Sequence, residues 1–330
     1  MIAQNMFADC AALVTGGLGF LGSNLAIRLA RRGARVTIVD SLGEQFGGNL
    51  ANIDPVRDTV TVSNADLRDP HAVDDLVRGQ DYIFHLAGQV SHGDSMREPK
   101  LDLDVNCLAT VNLVESCRRH NPRARTLYTS TRQVYGRTQR LPVDEDHPTM
   151  PVDVNGINKL AAEHYHLLYH HAHGLQATVL RLTNTYGPRQ HLRTNRQGFA
   201  TVFVRQALRG ETISLFDGGH QRRDFNYVDD VVDAMLLATT SDACLGRVFN
   251  LGDRRSYTLR EFVALLANYC DFDVRSVPFP VDRKAIDIGD YCGDFSRFRA
   301  ATGWQPRTSL VEGLQQTIAF YRAHREAYWQ

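Results

Sequence analysis

A chain of 330 residues can bury a large core, as one large domain with a smaller one or as two joined lobes. Its 37 basic and 37 acidic residues cancel, so no overall field attracts nucleic acid or an anionic membrane, and local arginines must hold any anionic ligand. No apolar run approaches membrane-spanning length and residues 1–9 lack a secretion-signal pattern, so we expect a soluble, cytoplasmic protein.

The first predicted unit is a strand, a glycine turn, a helix and a second strand. Gly16, Gly19 and Gly22 are spaced three apart after an apolar run, and a second apolar run, 35–40, ends in Asp40. Gly16 permits the tight turn, Gly19 lets the backbone approach a pyrophosphate, and Gly22 lets the helix pack closely. Glycines also occur in plain turns, but the free amides at the helix start and the placed acid favour a dinucleotide site.

The acid that ends the second strand selects between cofactors. Asp40 would accept hydrogen bonds from the adenosine ribose hydroxyls and would repel a 2′-phosphate. The following Ser41 and Leu42 offer no arginine to hold such a phosphate. The sequence therefore predicts NAD rather than NADP.

A loop, a strand and a helix follow. The glycine-rich loop 43–52 is expected over the adenosine end of the cofactor, and a strand at 59–62 leads to Asp66. Asp66 is either a turn residue or an acceptor for the adenine amino group. The pair Asp69 and Pro70 predicts a capped helix through Arg78.

The next segments alternate between buried strands and long helices. The predicted elements are a strand at 82–88, a helix at 99–120 ended by Asn121 and Pro122, and a strand at 124–129. Ser130 and Thr131 follow that strand. Hydroxyls at this end of a parallel strand face the ligand crevice of an open sheet, although a simple turn is the alternative.

A strong helix is predicted over 151–173, with Asn155 and Lys159 one turn apart on one face. The same helix carries five histidines. His166 and His170 have the i,i+4 spacing of metal ligands, but no carboxylate or cysteine completes a set, so a solvated or subunit-facing surface is expected. The six cysteines form no CxxC pair, which is typical of thiols in a reducing compartment without structural zinc.

After a strand at 177–182 the strict alternation fades. The basic loop 189–196 opens a region with a short strand at 213–216 and a turn at 217–220. Its predicted helices span 199–209, 228–239, 259–269 and 310–324. We expect the helix at 228–239 to pack back on the first domain.

Motifs along nearly the whole chain resemble the extended short-chain dehydrogenase/reductase family, specifically its NAD-dependent sugar-nucleotide epimerases and dehydratases. The motifs are Thr-Gly-Gly-Leu-Gly-Phe-Leu-Gly at 15–22, Asp-Leu-Arg-Asp at 66–69, His-Leu-Ala-Gly at 85–88, Asn106, Ser-Thr at 130–131 with Val-Tyr-Gly at 134–136, Lys-Leu-Ala-Ala-Glu at 159–163, Arg-Leu-Thr-Asn-Thr-Tyr-Gly-Pro at 181–188, Arg-Asp-Phe at 223–225 with Tyr-Val-Asp-Asp at 227–230, and Gly-Trp at 303–304 with Pro306.

The resemblance implies a fold and an assembly. The expected fold is α/β, with a Rossmann doubly wound parallel sheet of about seven strands over 1–185 and a smaller carboxyl-terminal α/β domain for a nucleotide-diphosphate sugar over 186–330. Residues 223–252 are expected to pack back on the Rossmann domain. The helices at 99–120 and 151–173 are expected to form a four-helix bundle between two copies.

The resemblance also implies a set of site residues. The implied NAD contacts are Gly16, Gly19, Phe20, Leu21, Gly22, Asp40, Ser41, Asn49, Asp66, Leu67, Leu86, Ala87, Gln89, Thr129, Lys159 and Leu182. The implied substrate contacts are Ser91, Asn184, Arg223 and Arg283, of which the two arginines suit a diphosphate and ribose. The implied catalytic positions are Thr131, Asn155 and Lys159.

Two departures from the family pattern concern the catalytic signature. Asn155 stands where the family has a tyrosine four residues before the lysine, and an amide cannot titrate. Arg132 and Gln133 stand where related 4,6-dehydratases have Asp-Glu, which act there as acid and base. The usual base is therefore absent, and an ordinary 4,6-dehydratase mechanism is disfavoured.

Two functions remain compatible with these departures. In the first, the protein is an enzyme in which Thr131 still bonds the reacting oxygen and His92, Asp94 or Asp153 moves the proton, although each is also plausible as a solvated loop residue. In the second, it is an inactive protein that binds or senses NAD or a nucleotide sugar. Retention of Lys159 and the substrate contacts favours the enzyme. Base and sugar specificity are expected to depend on loops 189–197 and 271–292.

Overall fold

The structure is a computed structural model that describes residues 6–43, 46–193 and 198–329. Residues 44–45 of the predicted adenosine loop, and 194–197 of the predicted basic and specificity loop, lie outside the described residues.

A parallel seven-stranded sheet forms the centre of the molecule. Its strands are β1 Ala11–Thr15, β2 Arg35–Val39, β3 Val60–Ser63, β4 Tyr82–His85, β5 Arg125–Thr131, β6 Gln176–Leu182 and β10 Arg247–Asn250. Across the sheet they follow the order β10-β6-β5-β4-β1-β2-β3. β1 is buried at all five positions, as expected for a strand covered on both faces. The predicted Rossmann sheet is confirmed.

Helices cover both faces of this sheet. They are α1 Phe20–Ala30, α2 Pro70–Val77, α3 His92–Arg97, α4 Pro99–Leu103, α5 Ala109–His120, α6 Val154–His173 and α8 Val228–Thr240. α1 packs against α8, whereas α2 packs against α5, which in turn packs against α6. These two groups form the two helical layers of a doubly wound fold.

Smaller sheets and further helices build the carboxyl-terminal part. The strands are β7 Asn184–Tyr186, β8 Ile213–Phe216, β9 Arg222–Tyr227, β11 Ser256–Thr258 and β12 Val274–Val277, ordered β11-β9-β7 and β12-β8. The helices are α7 Phe199–Arg209, α9 Leu259–Leu266, α10 Val281–Ala285, α11 Ser296–Thr302, α12 Leu310–Ala323 and α13 Arg325–Trp329. The boundary proposed between residues 185 and 186 stays a prediction, and α8 and β10 lie with the large sheet.

Several local expectations were wrong. The last three residues of the predicted adenosine loop, 50–52, begin a 3₁₀ helix, Leu50–Thr59, whose first turn is capped by the Asn49 side chain. The predicted helix 99–120 contains a π-helical turn, Asp104–Leu108, between α4 and α5. The predicted helix 151–173 begins at Val154, because Asp153 caps it by accepting from the Gly156 amide.

The histidine pair on α6 does not form the expected surface. His166 is fully buried, with its ring stacked on Tyr128 at a centroid distance of 4.7 Å and its Nδ1 at 2.9 Å from the Ala162 carbonyl oxygen. His170 instead contacts the Leu175 carbonyl oxygen at 2.8 Å. The described ranges contain no cluster of three or more His, Cys, Asp or Glu suited to a metal.

No helix in the part of the chain that the structure describes has the length and apolar character needed to cross a bilayer.

Candidate functional site

A cleft of about 1270 Å³ opens at the carboxyl ends of the parallel strands and extends to β9 and α10. Ligands of open parallel sheets bind at this edge. The predicted site residues that line it are Gly16, Gly19, Phe20, Leu21, Gly22, Asp40, Ser41, Asp66, Leu67, Leu86, Ala87, Ser91, Thr129, Thr131, Asn155, Lys159, Leu182, Asn184, Arg223 and Arg283. Residues distant in sequence therefore meet at one cleft.

Two predicted cofactor contacts do not line the cleft. Asn49 caps the 3₁₀ helix and donates from Nδ2 to the Ala327 carbonyl oxygen at 3.2 Å. Gln89 is buried, and its Nε2 donates to the Ser91 carbonyl oxygen at 2.9 Å. Both side chains hold loops around the cleft rather than facing it.

The glycine turn between β1 and α1 packs too closely against its own backbone to accept side chains. Gly16 has φ +66°, and a Cβ there would lie 2.9 Å from the Ala87 backbone. A Cβ on Gly22 would lie 2.2 Å from the Gly16 carbonyl oxygen. Gly19 precedes α1 without a side-chain cap, so the first amides of the helix stay open to an anion.

Asp40 sits at the end of β2 beside this turn. Its Oδ2 accepts from the Leu18 amide at 3.1 Å and its Oδ1 from the Leu42 amide at 3.0 Å. Burial raises the pKa of the carboxyl, against these two bonds. The open helix start, the tight glycine turn and the placed carboxylate fit the pyrophosphate and ribose of a dinucleotide.

Asp66 lines the cleft, but its carboxylate is already paired with an arginine. Its carboxylate binds the Arg68 guanidinium with Nε at 3.0 Å from both oxygens. The hydrogen bond from Arg68 is the main cause that lowers the pKa of Asp66. The predicted contact of Asp66 with an adenine amino group stays a prediction.

Lys159 and Asn155 project from the first turns of α6 toward β5 and the loop after β4. Lys159 Nζ donates to the Thr129 carbonyl oxygen at 3.1 Å, and burial lowers the pKa of its ammonium group to about 8. Asn155 is buried, and its Nδ2 donates to the Gln89 carbonyl oxygen at 2.8 Å and to Asp102 Oδ2 at 3.2 Å. The amide is thus fixed as a donor to the protein.

The two hydroxyls that end β5 have different surroundings. Thr131 Oγ1 accepts from the Gln133 amide at 3.2 Å and caps the 3₁₀ turn Arg132–Tyr135. Ser130 donates to Glu163, which also forms a buried ion pair with Arg181 at 2.6 Å. Ser130 therefore belongs to the ion-pair network, whereas the contact of Thr131 with a reacting sugar oxygen stays a prediction.

A histidine and a buried carboxylate meet at the cleft beside Gln133. Nδ1 of His92, the first residue of α3, lies at the ion-pair distance of 3.0 Å from Asp153 Oδ2, although the ring N–H is not aligned for a hydrogen bond to any described residue. Asp153 Oδ2 also accepts from Gln133 Nε2 at 2.8 Å, and its Oδ1 accepts from the Gly156 amide at 2.6 Å. Burial alone would raise the pKa of Asp153, but His92 and these bonds lower it below its usual value, so it stays ionised.

Three of the residues implied for the substrate line the cleft from β7, β9 and α10. Asn184 Nδ2 donates to the Asp224 carbonyl oxygen at 2.9 Å. Arg223 is buried, lies 3.6 Å from Asp287, and has a pKa lowered by burial to about 10, so it stays charged at neutral pH. Arg283 lies over the Phe216 ring at 5.6 Å.

The sequence did not indicate that Arg132 is a cleft residue, although its charge is opposite to that of the aspartate which related 4,6-dehydratases have at this position. Arg132 was identified only as a departure, yet it lines the cleft directly after Thr131. The sequence could have indicated that Arg132 lies at the cleft, because it follows Thr131 and consecutive Cα atoms are about 3.8 Å apart.

The fold and cleft define a dinucleotide-binding protein of the doubly wound α/β class. The model of the family described as NAD dependent epimerase/dehydratase matches residues 12–252. The chain belongs to this family, and NAD is the family's cofactor.

Individual relatives span nearly the whole chain. A UDP-glucose 4-epimerase of Mycolicibacterium smegmatis is 32% identical over 314 residues, 94% of this chain and 98% of that protein. The structure of a UDP-glucose 4-epimerase with UDP-glucose from Thermotoga maritima has a TM-score of 0.86 and 30% identity, covering 96% of this chain and 99% of that chain. A dTDP-glucose 4,6-dehydratase of Streptomyces venezuelae with NAD and TYD bound has a TM-score of 0.86 and 27% identity, covering 97% and 99%.

Proposed function

We propose that the protein is an NAD-dependent nucleotide-sugar epimerase, or a related dehydratase, in which His92 moves the proton that the family assigns to a tyrosine. The observation that carries this proposal is the 3.0 Å contact between His92 Nδ1 and the buried Asp153 carboxylate in the cleft. A carboxylate that orients an imidazole is a recurrent device for proton transfer at neutral pH.

The coenzyme site supports redox chemistry on a sugar. NAD, when bound, supplies a hydride acceptor that can take a hydride from a sugar carbon and return it. Lys159 is held by the Thr129 carbonyl oxygen at the nicotinamide end implied by the family, where its ammonium would bind ribose hydroxyls. Thr131 would hydrogen-bond the sugar oxygen that loses its proton.

The proton step is assigned to Nε2 of His92. An ionised Asp153 at 3.0 Å favours the tautomer with its proton on Nδ1, which leaves Nε2 as the acceptor. Asp153 then stabilises the imidazolium after Nε2 has taken the proton. Asp153 itself is buried and engaged by the helix start, and Asp94 forms an ion pair with Arg97, so both are less suited to the role.

The cleft residues on β7, β9 and α10 would hold the nucleotide diphosphate. Arg223 stays charged and Arg283 stands on α10, so both can donate to phosphate oxygens, and Asn184 lines the same cleft. The relatives named as UDP-glucose 4-epimerases favour a nucleoside-diphosphate hexose as the substrate.

Two further properties belong to the same proposal. Exposed leucine and isoleucine side chains on α4, the π turn and α6 favour a homodimer through a four-helix bundle. All six cysteines are free, which favours a reducing, cytoplasmic compartment.

An inactive sensor is the second candidate, because the amide at position 155 cannot take a proton. The test is to incubate the purified protein with UDP-, dTDP-, GDP- and CDP-sugars, following the absorbance of the bound nicotinamide and the products by mass spectrometry. An isomeric or dehydrated product, lost in the Lys159→Met variant, supports the enzyme. Tight NAD binding without any product supports the sensor.

A further inference from the structure

Arg132 is a cation in the cleft without a counter-ion. Among residues 6–43, 46–193 and 198–329, none makes a hydrogen bond or an ion pair with its guanidinium, and its Nε is buried without a partner. Its nearest defined contact is the ring of Tyr291, 5.9 Å from the guanidinium carbon. An unpaired buried charge is costly, so a fold retains one chiefly where a ligand completes it.

The carboxylates around Arg132 are committed elsewhere. The three that act on it electrostatically are Asp224, Asp287 and Asp153. None of them lies within ion-pair distance of Arg132 in the described part of the chain. Asp224 is bound by Thr183 and the Gly293 amide. Asp287 is bound by Arg223, Gln221 and the Gly289 amide. Asp153 is bound by His92, Gln133 and the Gly156 amide.

Arg132 comes from a different part of the chain than the arginines assigned to the diphosphate. Arg223 and Arg283 stand on β9 and α10 of the carboxyl-terminal part. Arg132 follows Thr131 at the end of β5, on the side where Lys159 bonds the Thr129 carbonyl oxygen and where the sugar would react. The Arg132 backbone therefore lies at the strand end assigned to the sugar, and its charge also reaches Arg223, where, after burial, it is the main cause that lowers the pKa.

We propose that Arg132 binds a carboxylate carried by the sugar, so that the substrate is a nucleoside-diphosphate uronate rather than a neutral hexose. The planar guanidinium can donate two parallel hydrogen bonds to the two carboxylate oxygens. The neighbouring Arg223 adds a second positive charge to the same cleft, which favours a ligand with more negative charge than the diphosphate alone. This inference rests on the proposed function, because it names the substrate class of the same site.

The test compares two sugars that differ only in a hydroxymethyl and a carboxylate group. UDP-glucose and UDP-glucuronate, and the corresponding dTDP pair, are titrated by calorimetry into NAD-loaded protein. We expect the glucuronate to bind about 10- to 100-fold more tightly in at least one pair, as charge-assisted hydrogen bonds predict. In the Arg132→Met variant this preference should disappear while affinity for glucose compounds is kept.

Controls separate a binding role from a structural one. Arg137→Met removes an exposed arginine outside the cleft lining and should keep the preference. Arg132→Met should unfold at the same or a higher temperature without ligand, because it removes an unpaired charge. Equal affinity of the wild type for both sugars of each pair, or an equal loss for both sugars and UDP in Arg132→Met, would overturn the inference and leave the proposed function standing. Absence of binding by every nucleotide sugar would overturn both.

Discussion

At the scale of single residues, the amide at position 155 shapes the chemistry of the cleft. Asn155 is buried, its Nδ2 donates to the Gln89 carbonyl oxygen and Asp102, and its backbone amide donates to Ser95 Oγ at 3.2 Å. These bonds connect α6 to the loop and helices that precede α5. Asn155 therefore has a structural role of its own, because its hydrogen bonds hold these segments together.

Introducing the family's tyrosine at position 155 should therefore not raise turnover. We expect Asn155→Tyr to leave turnover unchanged or lower it, and to destabilise the fold by about 1–3 kcal/mol because the larger ring overpacks a filled position. Steady-state kinetics and urea unfolding measure the two effects, with Asn155→Ala as the control for loss of the amide alone. A gain in turnover of more than about tenfold would show a disabled tyrosine enzyme instead.

Lys159 predicts a pH dependence of stability with a defined sign. Its pKa is lowered by burial to about 8 in the folded chain, against an ordinary value of 10.5 in the unfolded chain. Between these values the unfolded chain binds more protons, so the contribution of Lys159 to stability rises with pH. Below about pH 8 both states hold the proton, and the cost of the buried charge is constant.

The matched variant Lys159→Met isolates this contribution. The difference in unfolding free energy, wild type minus variant, should increase by about 1 kcal/mol per pH unit between pH 8 and 10. Urea unfolding at pH 7, 8, 9 and 10 measures it. A difference that stays flat, or falls, across this range would contradict the burial of a titrating ammonium group.

At the scale of elements, the start of α6 combines a helix cap with the orientation of His92. Asp153 Oδ1 accepts from the Gly156 amide, whereas Oδ2 faces His92 and Gln133. Two substitutions separate these roles, because serine also caps helices but carries no charge.

We expect Asp153→Ala to lose about 1 kcal/mol of stability through the missing cap and to lose turnover as well. Asp153→Ser should recover most of the stability without recovering turnover, because His92 still lacks its carboxylate. Thermal unfolding and product formation, measured on both variants, give the comparison. Recovery of turnover in Asp153→Ser would mean that the carboxylate acts only as a cap.

Element positions could be predicted where local patterns decide them. The glycine turn before α1, the Asp69 cap of α2 and the strands of the large sheet follow from residues close in sequence. The π turn before α5 and the 3₁₀ helix after Asn49 could not, because their hydrogen bonds depend on packing rather than on a sequence signal.

The sequence predicted which residues line the candidate site better than it predicted which of their side chains contact each other. Motif spacing named Thr131, Asn155 and Lys159, and all three line the cleft. It could not reveal that Asp153 pairs with His92 or that Arg132 has no partner, because those facts depend on loops and strands that meet only in the folded chain.

At the scale of the whole molecule, one helical layer of the Rossmann sheet carries an apolar outer surface. Leu103 and Leu108 are 47% and 46% exposed, and Ile157 and Leu168 on α6 are 53% and 56% exposed. Residues 157 and 168 are eleven apart, about three helical turns, so they share one face. α5 and α6 pack together, and two copies of this pair would complete a four-helix bundle.

A charge on this face should separate the copies. We expect the wild type to be a dimer and Leu168→Glu to be a monomer, because the bundle would bury an unpaired carboxylate. Val311→Glu, on an exposed position of α12, should stay dimeric. Light scattering coupled to gel filtration measures both masses. A monomeric wild type, or a Leu168→Glu dimer, would place the interface elsewhere.

In the proposed function, His92 gives this fold turnover without the family's tyrosine. The most direct measurement is the rate of product formation by the wild type and by His92→Asn, side by side, with the nucleotide sugar that the panel identifies and with NAD affinity measured for both. We expect turnover by the wild type and a loss of about 10²- to 10⁴-fold in His92→Asn at unchanged NAD affinity. Equal rates in the two proteins, or no product from the wild type, would contradict it.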